Sequence, residues 1–302
     1  MRKVNFFMVG APKTATTAIS EYLRAHSNVF MCDPKEPYYF SSDIGPSPYA
    51  KNPRQYLDLF LGVLPSHTVI AEASTGYLMS ARAYQQIYEF NPLAKILVTL
   101  RNPIDLVQAW HSEMLYAGEE SERDLERAWA LQEERARGRL LPKMCTRPLL
   151  LQYKRVGLLG AGLEKFIRRF GKSQVSWILF DDFKANPRAE YQKLLEFLDL
   201  PIELPDEFAK INGSKQHRLP ILGQSVRYLR RRFAMPINMA YGLMGVHTTG
   251  IIVKLDKLNT KTVDRPSGQA DFRNHLKSVF RPDIELLESL LDRDLAHWYD
   301  KR

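Results

Sequence analysis

The chain has 302 residues, 45% hydrophobic and 25% charged, with a formal net charge of +9. This composition excludes a disordered or fibrous chain and is long enough for one large α/β domain with additions. The basic balance suits an anionic cofactor or acceptor, and also nucleic acid or a membrane surface. Two cysteines, Cys32 and Cys145, stand far apart, which argues against a disulfide scaffold and makes a reducing, cytoplasmic setting the expectation.

Arg2 and Lys3 precede only a brief apolar run before Pro12, so no signal peptide is expected. No stretch reaches about 18 uninterrupted apolar residues. Residues 4–9, Val-Asn-Phe-Phe-Met-Val, read as a buried strand ended by Gly10. From Thr16 the pattern turns helical, with Ile19, Tyr22 and Leu23 on one face. Between them lies Gly10-Ala11-Pro12-Lys13-Thr14-Ala15-Thr16-Thr17. A strand, a loop of small residues, a lysine and then a helix start make an anion site. The first helical amides have no internal partner, the dipole adds partial positive charge, and Lys13 adds a full one. A Walker A loop is G-x-x-x-x-G-K-[ST]; here the lysine follows Gly10 by three residues and no Gly-Lys pair comes after it. Alone, the loop also reads as a tight turn with threonine caps.

Residues 33–52, rich in Pro, Ser and Tyr, read as a loop carrying Glu36. A short helix is expected over 55–64, a second strand over 68–71 ending at Glu72, and a helix over 81–90 stopping at Asn91-Pro92. Residues 95–100 form the third strand, followed by a helix from Pro103, a residue well tolerated in a first turn. The alternation predicts a parallel sheet with helices on both faces and ligands at the carboxyl ends of strands, where 10–17, 72–77 and Arg101 fall.

Residues 119–139 read as a highly charged helix, packed through Leu125, Ala128, Trp129 and Gln132, with its charges solvated. Further helices are expected over 157–170 and 190–198, and a strand over 175–180. Asp181 and Asp182 then read as polar strand-end groups and helix caps, because no Gly-Lys-Ser/Thr loop completes a magnesium site. Residues 225–253 join the basic run Arg227-Tyr228-Leu229-Arg230-Arg231-Arg232 to an apolar but broken stretch over 233–253. They read as a packed insert or lid, or as a membrane-surface contact. Ile284, Leu287, Leu291, Leu295 and Trp298 have the spacing of a core-packing helix.

Three stretches together resemble the sulfotransferases that use 3′-phosphoadenosine-5′-phosphosulfate (PAPS). Gly10–Thr17 resembles their phosphosulfate loop, G-x-P-K-x-[GA]-T-T. Arg101-Asn102-Pro103 after an apolar strand resembles their 3′-phosphate signature, and Lys35-Glu36-Pro37-Tyr38-Tyr39-Phe40 resembles the K-E-x-H-F-F segment of the branch with the heparan sulfate enzymes and bacterial members. The resemblance implies a single domain over 1–302 with a lid or acceptor insert at 225–262. It implies a P-loop-like, nucleoside-kinase-like three-layer α/β fold. The activity implied is sulfuryl transfer from PAPS, leaving PAP, to a hydroxyl or amine of a carbohydrate, glycolipid or other small acceptor, without metal or nucleic acid.

The same resemblance makes Lys13 and Glu36 catalytic, Glu36 as base. It gives Gly10, Ala11, Pro12, Lys13, Thr14, Ala15, Thr16, Thr17 and Arg101 to the donor. The family's serine eight residues after the arginine is Ala109 here, so Ser112, one helical step on, is its candidate substitute. The family's histidine two residues after the base is Tyr38. A lysine of heparan-type members after Glu72 is Ala73, which argues against a heparan-like acceptor. Glu72 is a fallback base. Lys257, Lys261 and Arg265 fall where the family closes a loop over its cofactor. The alternatives are a P-loop kinase using ATP and magnesium, or a basic nucleic-acid-binding module.

Overall fold

The most apolar runs of the chain become the middle of one parallel sheet. In the computed structural model, which describes residues 2–208, 215–217, 260–262 and 270–300, β1 (Phe6–Gly10) is the central strand. It pairs with β3 (Val69–Ala73) on one side and β4 (Lys95–Leu100) on the other, while β2 (Val29–Met31) and β5 (Val175–Leu179) form the edges, in the order β2-β3-β1-β4-β5. All four pairings are parallel.

Side chains of a strand alternate between faces, so β1 serves two cores. Phe6 and Met8 pack with Ile19 and Leu23 of α1 (Thr16–Ala25) and with Tyr191 and Leu194 of α10 (Pro187–Phe197). Phe7 and Val9 join the other core, with Ile87 of α3 (Ala83–Phe90), Val107 of α4 (Pro103–Ala117), Leu163 of α8 (Leu159–Phe170) and Leu287 of α11 (Ala270–Leu291). This is the three-layer sheet with helices on both faces that the alternation predicts. The switch in strand order lies at β1, and the loops after β1, β3 and β4 meet beside it, where an open α/β sheet binds its ligands.

Several expectations are corrected. β2 was not expected at all, and the run at 68–71 is the third strand. The short helix after the 33–52 loop is α2 (Pro53–Asp58), capped by Asn52. No helix runs over 119–139: Gly118 ends α4 in a left-handed turn, and α5 (Leu125–Ala130) and α6 (Gln132–Ala136) are separate. Nor are all its charges solvated. Glu120 and Arg135 are buried and paired through Nη1 at 2.5 Å and Nη2 at 2.8 Å, with the Tyr153 hydroxyl on the same carboxylate at 2.7 Å. The expected helix at 157–170 breaks at Leu158 between α7 (Tyr153–Gly157) and α8.

Asp181 and Asp182 do not cap. They lie in the first turn of α9 (Phe180–Ala185), where their charge suits the helix dipole, and they anchor the C-terminus. Asp182 pairs with Arg293, and Asp181 accepts from Trp298 Nε1 at 3.2 Å. The expected closing helix is two: α11, then α12 (His297–Asp300) after Leu295. Asp283 of α11 accepts from the amides of Gly160 and Ala161 at 2.7 and 2.8 Å, satisfying orphan donors at the start of α8. β6 (Lys215–His217) and β7 (Thr260–Thr262) form an antiparallel ribbon against α4. Residues 225–253, with Lys257 and Arg265, lie outside the described residues, as does the side chain of Lys261. Among the described residues no helix is long and apolar enough to cross a membrane.

Candidate active site

The loop from Gly10 to Ala15 is shaped by its backbone. Gly10 has φ 122°, and a Cβ there would lie 2.2 Å from the carbonyl oxygen of Thr75. Only glycine fits that approach. Lys13 and Ala15 have φ 61° and 64°, and a left-handed non-glycine residue costs about 1–2 kcal/mol. Seven non-glycine residues among those described have positive φ, and four of them, Lys13, Ala15, Glu36 and Tyr38, lie in the two candidate loops. Such clustering is typical of sites where backbone geometry serves a function.

Ala15 is the N-cap of α1 and supplies no side-chain cap, and the first turn carries no acidic residue. The amides at this helix start therefore point at whatever occupies the loop. The threonines divide. Thr14 is buried, its hydroxyl bonded to the Ala11 carbonyl at 2.6 Å and to Thr99 Oγ1 at 2.5 Å, so it supports the loop from within. Thr16, buried, and Thr17, exposed, are the first two residues of α1, whose start carries no side-chain cap hydrogen bond.

Lys13 extends across to α4, where Nζ lies 2.9 Å from Glu113 Oε2. Arg101, just past β4, donates from Nη1 to the Lys13 carbonyl at 2.9 Å, and its guanidinium lies 4.5 Å from the Phe180 ring centre. It braces the loop and stacks on α9. Asn102 caps α4 through the Ile104 amide and donates to the Trp298 carbonyl. Ser112 precedes Glu113, but its hydroxyl donates to the Gln108 carbonyl at 3.0 Å, within its own helix. Ala109 is buried on the same helix. The structure thus brings Lys13, Arg101 and Glu113 together and turns the Ser112 hydroxyl back on α4.

Glu36 reaches the same neighbourhood through Thr75. The Thr75 carbonyl packs on Gly10, and its hydroxyl lies 3.5 Å from Glu36 Oε1. Lys35 Nζ is 2.7 Å from that oxygen, and the Tyr38 hydroxyl donates to Oε2. Burial, then the neighbouring Glu36 charge, push the Tyr38 phenol well above its ordinary range, so it stays a donor. Glu72 is different. It is fully buried and accepts from Tyr56, Tyr77 and from Ser74 at 2.7 Å. Burial raises its carboxyl above the usual value, although those three donors act against it. Its caged position gives it no way to meet an acceptor, which removes it as a fallback base.

Sequence reasoning placed Thr75 at the ligand end of the sheet, within 72–77, without giving it a role, and missed Glu113 and Phe180. Glu113 had a legible signal: it stands four residues after Ala109, on the same face of α4. Phe180 had none, because it meets Arg101 only once β4 and β5 are side by side.

The sulfotransferase domain family model matches residues 3–215. The crystal structure of a sulfotransferase from Alicyclobacillus acidocaldarius superposes with a TM-score of 0.71 at 25% identity, covering 99% of both chains. A bifunctional heparan sulfate N-deacetylase/N-sulfotransferase 1 of Caenorhabditis elegans is 25% identical over 251 residues, 78% of this chain. A membrane-associated sulfotransferase, kil1, of Dictyostelium discoideum is 29% identical over 103 residues, 33% of this chain. The chain spans only 27% and 21% of the length of these two curated relatives. With a family match over most of its length, and a solved sulfotransferase of similar fold, the chain belongs to the sulfotransferase domain family.

Proposed function

We propose that the protein transfers the sulfuryl group of PAPS to a hydroxyl or amine of a small acceptor, a carbohydrate or glycolipid among them, as one domain over 1–302. The observation that carries this reading is the meeting of two loops at Thr75: its carbonyl packs on the glycine of the anion loop and its hydroxyl approaches the Glu36 carboxylate. A cationic anion site and a carboxylate base are thereby neighbours, as a group transfer with proton removal requires.

The residues present suit a phosphosulfate. The α1 amides have no side-chain cap to displace, Gly10 lets the loop turn against the Thr75 carbonyl, and Lys13 is half-buried with a charge to place. When bound, PAPS supplies an activated sulfuryl group and a leaving phosphate. By analogy with phosphoryl transfer, charge builds on the leaving oxygen, so positioning and electrostatics do most of the work. The α1 amides hold the 5′-phosphate. Lys13 leaves Glu113 to stabilise the negative charge there. Arg101 holds the loop through the Lys13 carbonyl and presents its guanidinium edge to the 3′-phosphate. Glu36 takes the acceptor proton, at Oε1, where the acceptor hydroxyl replaces the 3.5 Å Thr75 contact while Lys35 stays on the same oxygen. The continuity of one core from Val4 to Trp298 supports the single-domain reading.

The test is label transfer from PAPS carrying radioactive sulfur into acceptor extracts. Native protein should yield a labelled product and Lys13→Ala should not. Equal labelling by both would remove Lys13 from the reaction.

A further inference from the structure

The loop that carries Glu36 is tied to the buried end of β3 by a chain of hydrogen bonds. The Glu36 amide donates to the Ala73 carbonyl at 3.0 Å. The Tyr38 amide donates to Ser74 Oγ at 3.0 Å, and Ser74 Oγ donates to Glu72 Oε1 at 2.7 Å. Glu36 and Tyr38, at φ 63° and 53°, flank Pro37 and fold the loop so that the Tyr38 hydroxyl returns to the Glu36 carboxylate. The Tyr38 ring is confined. It packs against Gly76, where a Cβ would lie 3.0 Å from Cε1, meets Tyr77 edge-on at 6.5 Å, and lies 5.2 Å from the Arg147 guanidinium.

We propose that Tyr38 is the positioning residue for Glu36, and that the buried Ser74–Glu72 pair fixes Tyr38 in turn. The inference rests on the reading of Glu36 as the base. The charged groups around the carboxylate are Lys35, against Oε1, and Arg147, behind the Tyr38 ring, with Glu72 beyond Ser74. Lys35 cannot set the geometry alone. Its four-carbon stem carries several rotatable bonds, whereas a tyrosine has two torsions and this ring is packed on Gly76 and Tyr77. The ring therefore defines where Oε2 sits, and the lysine follows. Glu72 keeps a role without touching the acceptor: its buried carboxyl accepts from the Ser74 hydroxyl, which orients the Tyr38 amide. This links a carboxylate with no access to the reaction to the one that has it.

The experiment is side-chain carbon-13 relaxation of Glu36 in labelled protein, the resonance assigned by its loss in Glu36→Gln. In native protein the Glu36 side chain is expected to be rigid. Tyr38→Phe keeps the ring and removes the hydroxyl, and should mobilise Glu36. Tyr38→His, which restores a donor, should make it rigid again, and Lys35→Met should leave it largely ordered. Ser74→Ala should loosen Glu36 as well, and decides the matter if Tyr38→Phe does not fold. A Glu36 as rigid in Tyr38→Phe as in native protein, or one mobilised by Lys35→Met alone, overturns the proposal. In the label-transfer assay Tyr38→Phe should lower kcat, by less than the loss of the base itself, with KM for PAPS unchanged. Failure of the base reading shows separately, as native label transfer by Glu36→Gln.

Discussion

Lys13 Nζ, in the anion loop after β1, lies 2.9 Å from Glu113 Oε2 on α4, both side chains about one-third exposed. The carboxylate occupies a cation that an anionic donor needs, so donor and Glu113 compete. Glu113→Gln should therefore bind PAP more tightly. Pairs exposed to this degree are worth up to about 1 kcal/mol, so the gain should be about two- to fivefold. Calorimetry at two salt concentrations checks this, because the advantage should shrink as salt screens the charges. Weaker binding by Glu113→Gln would mean that the carboxylate orients Lys13 for the donor and does not compete for it.

Arg101 touches the loop backbone and, in the proposed function, the 3′-phosphate. The two roles separate by ligand. Arg101→Ala should weaken binding of a nucleotide with a 3′-phosphate much more than of its 3′-dephosphorylated counterpart. Equal losses for both would leave Arg101 as a brace for Lys13 alone.

Glu36 and Glu72 make opposite predictions although both are carboxylates near the end of β3. Glu36→Gln should keep the fold and PAP affinity and lose about 10²–10⁴-fold in turnover, the usual worth of a positioned base. Glu72→Gln should instead lose stability, by about 1–3 kcal/mol, since an amide nitrogen cannot accept from every donor of its tyrosine and serine cage. Urea denaturation of both variants beside label transfer distinguishes them.

Burial pushes the Glu120 carboxyl up, but the Arg135 and Tyr153 bonds outweigh it and hold the group below its ordinary value of 4.5. A carboxyl depressed in the folded state contributes stability above its unfolded value and loses it as pH falls through the folded one. Native protein should thus lose stability below pH 4.5, and Glu120→Gln should lose less of its own over the same range. Arg135→Met leaves a buried charge unpaired and should cost about 3–5 kcal/mol near neutral pH. Urea unfolding at several pH values measures all three.

What was legible in the chain follows from how local each signal is. The strand runs ending at Gly10 and Leu100 are continuous and apolar, and the small-residue loop with Lys13 sits between a change of period, so sheet, loop and helix start could be read directly. β2 is three residues at a sheet edge and too short to show a period. The charged stretch at 119–139 misled because Glu120 and Arg135, fifteen positions apart, cancel each other only once folded. Glu36 was readable through its motif. Its surroundings were not, since Tyr38, Ser74 and Glu72 are joined by a left-handed loop that no propensity announces.

The central claim is that the loop from Gly10 to Thr17 receives a 3′-phosphorylated phosphosulfate nucleotide, and thermal denaturation with ligands tests it most directly. A ligand that binds only the folded state at about 100 times its Kd adds about 2.7 kcal/mol of stability. PAP should raise the unfolding midpoint by several degrees, its 3′-dephosphorylated counterpart by less, and ATP with magnesium by little. Lys13→Ala and Arg101→Ala should each reduce the PAP shift. A midpoint raised by ATP with magnesium and unmoved by PAP would contradict the account.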